Sequence, residues 1–584
     1  MSAEKLAGLR AELRLQAVDG VIVPRADEHL GEYVPKRAER LAWLTGFTGS
    51  AGIAAVTQSR AAVFSDGRYV LQLQAETDGT LWERRHMMEE PAAQWLAGCG
   101  AKRVGYDPWL ISEDGLKPYA DAGLEMVPLP RDPIDAIWAD QPAPPLAPAR
   151  PHMMDVAGRS SADKASDIAA SLKAAGHDAA IISDPASINW LFNIRGADVP
   201  FTPFALGFAL IDQRGHSTLF MEHEKLPADT RAWLGNGVEI AERAELPNRL
   251  AAWAGRTVRV DSNASPAWFG QTLRAAGAIV AAGMDPCMLL KACKNPVEQQ
   301  GARHAHARDA LAVIRFLQWL DSAAGHESEM SAAARLLSLR SELPGFRGES
   351  FPAISGSGED GAIIHYRVSP ESNRAIKPNE LYLIDSGAQY EDGTTDITRT
   401  VWTGPDAPPE LIRDRFTRVL RGHIAIDRLV FPAGVCGAHV DAFARAALWQ
   451  EGLDYDHGTG HGVGSFLSVH EGPVSLSRAA RPIPIAAGMI LSNEPGFYAP
   501  GAFGIRIENL LLVRPVELPH ARKPFLGFET LSWAPIDRRL IEPGLLTPDE
   551  RDWVNRYHAK VAALIGPHLE PEVHAWLTRA CAPI

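Results

Sequence analysis

LYLIDSGAQYEDGTTDITRT, residues 381–400, reads as strand, turn and strand. Both ends carry β-forming residues, and Asp392-Gly393 is a strong hairpin signal between them. Asp385 and Asp396 stand eleven residues apart in this stretch. A hairpin lays the second strand back beside the first, so the two carboxylates can meet. Burying an unpaired carboxylate costs several kcal/mol or shifts its pKa until it is neutral. Two acids brought together therefore call for a compensating group, and residues further along the chain supply candidates.

Three later stretches matter. HGTGHGVGSFLSVHEGP, residues 457–473, places His457, His461 and His470 among five glycines. LSNEPGFY carries Glu494, and GAFGIRIENLLL carries Glu508 beside its apolar run. Both glutamates read as parts of strands. Asp385, Asp396, Glu494 and Glu508 together supply four negative charges, which two divalent cations would offset. An oxygen-rich set with one imidazole suits Mn²⁺ or a similar hard ion better than a structural zinc. Such a pair of cations acidifies a shared water and polarises a carbonyl. The spacing of His457 and His461 does not make a zinc-protease HExxH helix, because Gly458 stands where that motif needs glutamate. No strand–turn–helix unit frames the glycines as a dinucleotide loop. No GxSxG nucleophile elbow is present.

The bulk numbers narrow the setting. The chain has 584 residues, 46% hydrophobic and 22% charged, with a net charge of −13. That length suggests about three domains. The negative balance and the lack of a long basic run argue against nucleic acid or an anionic membrane as partner. The first residues, MSAEKLAGLRAELRLQ, lack the apolar core of a signal peptide. No run approaches the roughly 18 apolar residues of a membrane span. The five cysteines are odd in number and show no CxxC spacing, which fits a reducing compartment, with the cytoplasm as the default.

Upstream, two segments look like copies. LRAELRLQAVDGVIVPRADE, followed by LAWLTGFTGSAGIAAVTQSRAAVFSDGRY, has the same order as the stretch beginning at Asp167. Each offers a helix-period segment, an apolar strand (Gly20 to Val23; Ala179 to Ile182), a Trp-Leu pair and two further strands. QPAPPLAPARP, 141–151, reads as a linker. Asn295-Pro296 with Glu298 marks a helix start, and Leu311, Ile314, Leu317 and Leu320 give that helix a dry face. The expected organisation is an α/β domain over 1–155, a second over 156–292, and an α+β catalytic domain over 293–584.

The ordered set of Asp385, Asp396, HGTGHGVG, EPGFY and GIRIEN resembles the pita-bread metallopeptidase family, which includes methionine aminopeptidase, prolidase, creatinase and aminopeptidase P. Within it the sequence is most similar to the three-domain, cytosolic type of aminopeptidase P. GAIIHYR, GFTGSAG, SDGRY and ETLSWAPIDRRLI extend the resemblance over nearly the whole chain. It implies two creatinase-N-terminal-like α/β domains followed by a C-terminal pita-bread catalytic domain. It also implies two divalent metal ions, with Mn²⁺ first and Co²⁺ or Zn²⁺ as alternatives. Asp385 would bind one metal, Asp396 and Glu508 would bridge both, and His461 and Glu494 would complete the second. Glu494 would also take a proton from the bridging hydroxide's parent water.

His365, His457 and His470 match the family's substrate-binding and proton-handling histidines, with His365 and His470 as catalytic candidates beside Glu494. Tyr498 and Arg506 would stand near the metals, and Arg68 would reach toward the substrate from the first domain; its alternative is a turn arginine. The implied reaction releases the N-terminal residue from peptides with proline at position two, and a homodimer is expected. A prolidase-like X-Pro dipeptidase or a creatinase-like hydrolase on the same fold is the nearer rival. A non-enzymatic binding protein on this fold would lack the ligands, and all five are present here.

Overall fold

The computed structural model describes residues 2–584. The chain forms two compact units. One comprises residues up to Met153 together with Arg159–Met288; the other comprises Met154–Gly158 and Leu289–Ile584.

The first unit contains two six-stranded sheets built on one plan. The first sheet uses Gly20–Pro24, Ile53–Thr57, Ala61–Ser65, Glu83–His86, Arg103–Tyr106 and Glu125–Pro128. The second uses Ala179–Ile182, Phe208–Asp212, Ser217–Phe220, Val238–Ala241, Thr257–Val260 and Ile279–Ala282. Counted along the chain, the strands of both stand in the order 4-3-2-1-5-6. In both, strand 1 pairs antiparallel with 2 and 2 with 3, whereas the remaining pairs are parallel. The resemblance between the two segments is thus a shared topology. The opening strands, GVIVP and AAII, are buried nearly end to end, as central strands covered on both faces require. The helix before the second sheet, Ser161–Ala175, starts where Ser160 Oγ accepts from Asp163 N–H and stops at Gly176, with φ of +70°.

The second unit opens with the long helix Pro296–Ala323. Its start obeys the local signal: Asn295 Oδ1 accepts from the backbone of Val297 and Glu298, and Glu298 Oε2 accepts from Asn295 N–H. Ile314, Leu317 and Leu320 are buried as expected, and Leu311 is half-buried. Val313 and Phe316 join them, so the dry face is wider than a single stripe. Each fully buried side chain of this size contributes about 1.5–3 kcal/mol.

Two sheets then frame the centre of this unit. A three-stranded sheet joins Ile354–Ser357, Glu380–Ser386 and Ile397–Thr403. A six-stranded sheet runs in the order Phe431–Pro432, Phe525–Thr530, Asn509–Val516, Ile490–Asn493, Gly460–Gly462 and Glu471–Leu476. Arg399, fully buried, ties the two sheets together: it donates to the carbonyl of Glu508 at 2.6 Å and to Asn509 Oδ1 at 2.9 Å. Helices Glu329–Ser341, Glu410–Asp427, Gly437–Trp449, Pro548–Ile565 and Pro571–Ala580 also belong to this unit.

The hairpin lies where the sequence indicates, but its glycine has another task. Tyr390 pairs with Gly393 across a two-residue turn, Glu391-Asp392. Gly393 is not among the residues with positive φ. A Cβ there would lie 3.0 Å from Ala305 Cβ, so this glycine lets the turn sit against the long helix.

Candidate active site

Strand pairing brings the acids together. Asp385 stands opposite Thr398 in the antiparallel pair, two residues past Asp396. Asn493 stands opposite Asn509, which sets Glu494 and Glu508 beside each other at the ends of their strands. Neither glutamate lies within a strand, contrary to the expectation. Glu494 follows Ile490–Asn493, and Glu508 occupies the break between Phe503–Arg506 and Asn509–Val516. The backbone there is used for other links: Glu494 N–H donates to Thr459 O, and Glu508 N–H donates to Thr398 O at 3.2 Å.

His461 faces this cluster. Its Nδ1–H donates to Gly462 O at 2.9 Å, which turns Nε2 toward the acids. That Nε2 lies 3.6 Å from Asp396 Oδ2 and 3.5 Å from Glu494 Oε1. Asp396, His461 and Glu508 each offer a ligand atom, all within 4.8 Å of one another. The glycines flanking His461 serve neighbouring strands rather than a metal directly. A Cβ on Gly460 would fall 2.0 Å from Ser492 O, and one on Gly462 would fall 2.2 Å from Glu471 O. They let the short His461 strand slot between two others.

The electrostatics favour cations. Asp385 Oδ2 accepts from Arg506 at 2.7 Å, but Asp385 Oδ1 and Asp396 Oδ1 are buried with no hydrogen-bond partner among the described residues. Burial first, and then the facing carboxylates Glu508, Asp385 and Glu494, push Asp396 well above the ordinary carboxylate range. Burial, then Asp385 and Glu494, does the same to Glu508. Glu494 rises to about 7 through burial, against the pull of Arg506 and with a push from Asp385. A cluster that resists ionisation when bare, yet keeps unsatisfied oxygens, fits divalent cations as its missing partners.

A line of hydrogen bonds leaves the acids toward His457. Arg506 donates to Asp385 and, at 2.7 Å, to the Tyr498 hydroxyl oxygen. Tyr498 O–H then donates to His457 Nε2 at 2.9 Å, and His457 Nδ1–H donates to Gly458 O at 2.8 Å. Burial raises Tyr498 to about 12, so it remains a neutral donor. His470 lies against His461, ring centroids 4.3 Å apart and nearly perpendicular. His365 is half-buried in the loop after the turn Gly358–Ala362, and Gly361 of that turn lies against Gly504 in the strand carrying Arg506. Arg68 lies in the first unit, where its guanidinium makes a two-point pair with Asp66 at 2.9 and 2.7 Å.

Three polar residues joined to the ligand candidates were not singled out from sequence. Thr398 Oγ1 donates to Glu508 Oε2 at 2.7 Å. Ser492 Oγ accepts from His461 N–H and donates to Glu494 Oε1. Thr459 carries the carbonyl that receives Glu494 N–H. Thr398 was findable, since it lies two residues from Asp396 and period-two alternation puts both on one face. Ser492 bears the same relation to Glu494.

Comparison with known proteins agrees with this geometry. Residues 300–515 match the description "Metallopeptidase family M24". The chain belongs to metallopeptidase family M24. Residues 524–584 match the C-terminal region of that family, and 5–130 and 140–298 each match a creatinase/prolidase N-terminal domain. The two repeated sheets are therefore creatinase-type domains, and the second unit is the pita-bread metallopeptidase domain.

Among relatives, the chain is 38% identical to a probable Xaa-Pro aminopeptidase P of Neosartorya fischeri, covering 100% of this chain and 93% of that one. It is 35% identical to aminopeptidase P1 of Arabidopsis thaliana, covering 100% and 99%. The X-prolyl aminopeptidase of Caenorhabditis elegans, described as a cytosolic enzyme with a di-nuclear active site, superposes with a TM-score of 0.94 at 32% identity over 100% of both chains. The prolidase of Pyrococcus horikoshii shares the fold over 65% of this M24 chain, at 24% identity and a TM-score of 0.50.

Proposed function

We propose that the protein is a metal-dependent Xaa-Pro aminopeptidase, which releases the first residue from peptides whose second residue is proline. The observation that carries this reading is the convergence of Asp385, Asp396, His461, Glu494 and Glu508 with two buried carboxylate oxygens left unpartnered. End-to-end similarity to Xaa-Pro aminopeptidases supports it over the dipeptidase reading.

In this reading Asp385 would hold one divalent cation, Asp396 and Glu508 would be shared by two, and His461 and Glu494 would hold the second. Bound there, the cations supply an acidified water and a polarised carbonyl. The remaining work falls to the chain. Glu494 accepts the proton of the attacking water at Oε1 or Oε2. A prolyl nitrogen carries no hydrogen and leaves only once protonated, so His470, beside His461, hands that proton to it with Glu494. His365 donates to the developing oxyanion of the substrate, and the His457 ring packs against the substrate. The Asp385–Arg506–Tyr498–His457 line keeps the His457 ring at a fixed angle to the acids. Arg68 is proposed as a substrate contact from the creatinase-type region.

Mn²⁺ is the proposed metal, since four carboxylates with one imidazole make a hard donor set. The cytosol is the proposed location, in keeping with the C. elegans relative, and no helix of the described residues is long and apolar enough to cross a membrane. A homodimer is the proposed assembly, on the family resemblance.

Product analysis tests the reading. A peptide beginning Arg-Pro-Pro is compared with its Arg-Ala-Pro counterpart after chelation and reloading with Mn²⁺. Free arginine is expected from the proline peptide alone, and only with metal. Cleavage confined to X-Pro dipeptides would move the assignment to a dipeptidase. The histidine line has its own test: Tyr498→Phe takes the donor from His457 Nε2 and the acceptor from Arg506. A fall in kcat of about tenfold is expected, the equivalent of roughly 1.4 kcal/mol, with metal content unchanged in elemental analysis.

A further inference from the structure

The geometry points to Arg445 as the positioning residue for His457. Arg445 lies on helix Gly437–Trp449 and is 99% buried with its side chain fully engaged. A guanidinium has five N–H donors, and all five are used here. Two go to Asp441, four residues earlier on the same helix, at 2.7 and 3.1 Å. The other three reach the segment that leads into the site: Asp454 Oδ1, Tyr455 O and His457 O, each at 2.7 Å.

The surrounding contacts tighten the same segment. The Tyr455 ring lies under the guanidinium, 3.9 Å from its carbon to the ring centroid, and the Tyr455 and His457 rings lie 4.8 Å apart. Thr459 Oγ1 donates to Asp441 Oδ1 at 2.6 Å, while the Tyr455 hydroxyl donates to Thr459 Oγ1. A buried charge pair costs desolvation that hydrophobic packing would not. What this pair obtains in return is three backbone or loop acceptors fixed at one point. The planar fork does this, and a lysine's single ammonium cannot span the same three positions.

The consequence concerns angle rather than charge. His457 is held at three points: its carbonyl by Arg445, its Nε2 by Tyr498, and its Nδ1 by the next residue's carbonyl. Release of the carbonyl lets the ring turn away from Tyr498. This inference rests on the proposed peptidase reading for its effect on turnover, but not for its structural part.

The test uses the metal-loaded full chain and the paired change D441N/R445Q, which removes both buried charges together. Misplacement of a reacting group by about 1 Å costs on the order of 100-fold, and kcat on the Arg-Pro-Pro peptide is expected to fall by about that factor. KM and bound metal are expected to stay as in the wild type. In an H457Q background the paired change is expected to cost nothing further, because the group it positions is gone. Losses that multiply in that background, or a loss of bound metal, would overturn the assignment. If the pair fails to fold, R445K is read in the same way. A crystal structure of the variant tests the geometry without activity: His457 displaced from the Tyr498 hydroxyl supports the inference, and His457 unmoved defeats it. A displaced His457 in a protein whose wild type cleaves no proline peptide would leave the positioning intact and remove the peptidase reading.

Discussion

Glu508→Gln is expected to lower kcat/KM on the Arg-Pro-Pro peptide by about a thousandfold, roughly 4 kcal/mol of transition-state stabilisation. The same change is expected to raise the thermal midpoint of the chelated protein. Both follow from one geometry. Glu508 is 1% exposed and faces Asp385, Asp396 and Glu494, so its ionisation is resisted until cations arrive. Glutamine has the same shape and keeps an oxygen to accept from Thr398 Oγ1, now 2.7 Å from Glu508 Oε2, so the strand ends have no reason to move. It removes the cost of keeping a buried carboxyl protonated in the bare protein, and a negative charge that two cations need. Differential scanning on chelated samples and steady-state rates on Mn²⁺-loaded samples check the two signs. A variant that retains wild-type turnover would show that Glu508 is not a bridging ligand.

The second large effect is on stability as a function of pH. Asp396 and Glu508 sit well above the ordinary carboxylate range in the folded, metal-free chain, and Glu494 sits at about 7. A carboxyl raised on folding binds its proton more tightly in the folded state. The metal-free protein therefore loses stability as pH rises from the ordinary values near ~4 through about 7, and the penalty is complete above the folded values. Cations take the place of those protons and bind more tightly as the ligands deprotonate. Saturation at a thousandfold excess over Kd stabilises by about 4 kcal/mol. The gap between the thermal midpoints of Mn²⁺-loaded and chelated protein is expected to widen from pH 5.5 to pH 8. A gap that stays constant or narrows would contradict the reading of these carboxylates as paired ligands.

Much of this site was legible because its chemistry is written in short, local patterns. Asp385 and Asp396 were readable as neighbours because a two-residue turn leaves only one way for the strands to pair. His461 was singled out through the ordered set of motifs and the family resemblance, with the glycines only disfavouring a helical zinc motif. The repeated N-terminal plan was readable because an apolar strand recurs at matching places. The rest depends on contacts that no window of sequence contains. Glu494 and Glu508 look like strand residues, yet their N–H groups are diverted to Thr459 and Thr398, far away in the chain. Gly393 looks like a turn glycine, yet it serves a helix that begins almost a hundred residues earlier. Arg445 reads as one more polar residue on an amphipathic helix, and only the folded loop 454–457 shows where its donors go. The sequence pattern carried the chemistry of the ligand candidates, while the groups that hold them in place emerged from tertiary packing.

The central claim is that five converging side chains hold two cations and that these cations enable proline-directed release of an N-terminal residue. The most direct measurement is a stepwise Mn²⁺ titration of the chelated protein, with bound metal and arginine release from the Arg-Pro-Pro peptide followed in the same samples. The account predicts that binding saturates at two Mn²⁺ per chain and that release rises with occupancy, whereas the Arg-Ala-Pro peptide stays intact. Full release with no metal bound, or two bound cations with no release from the proline peptide, would contradict it.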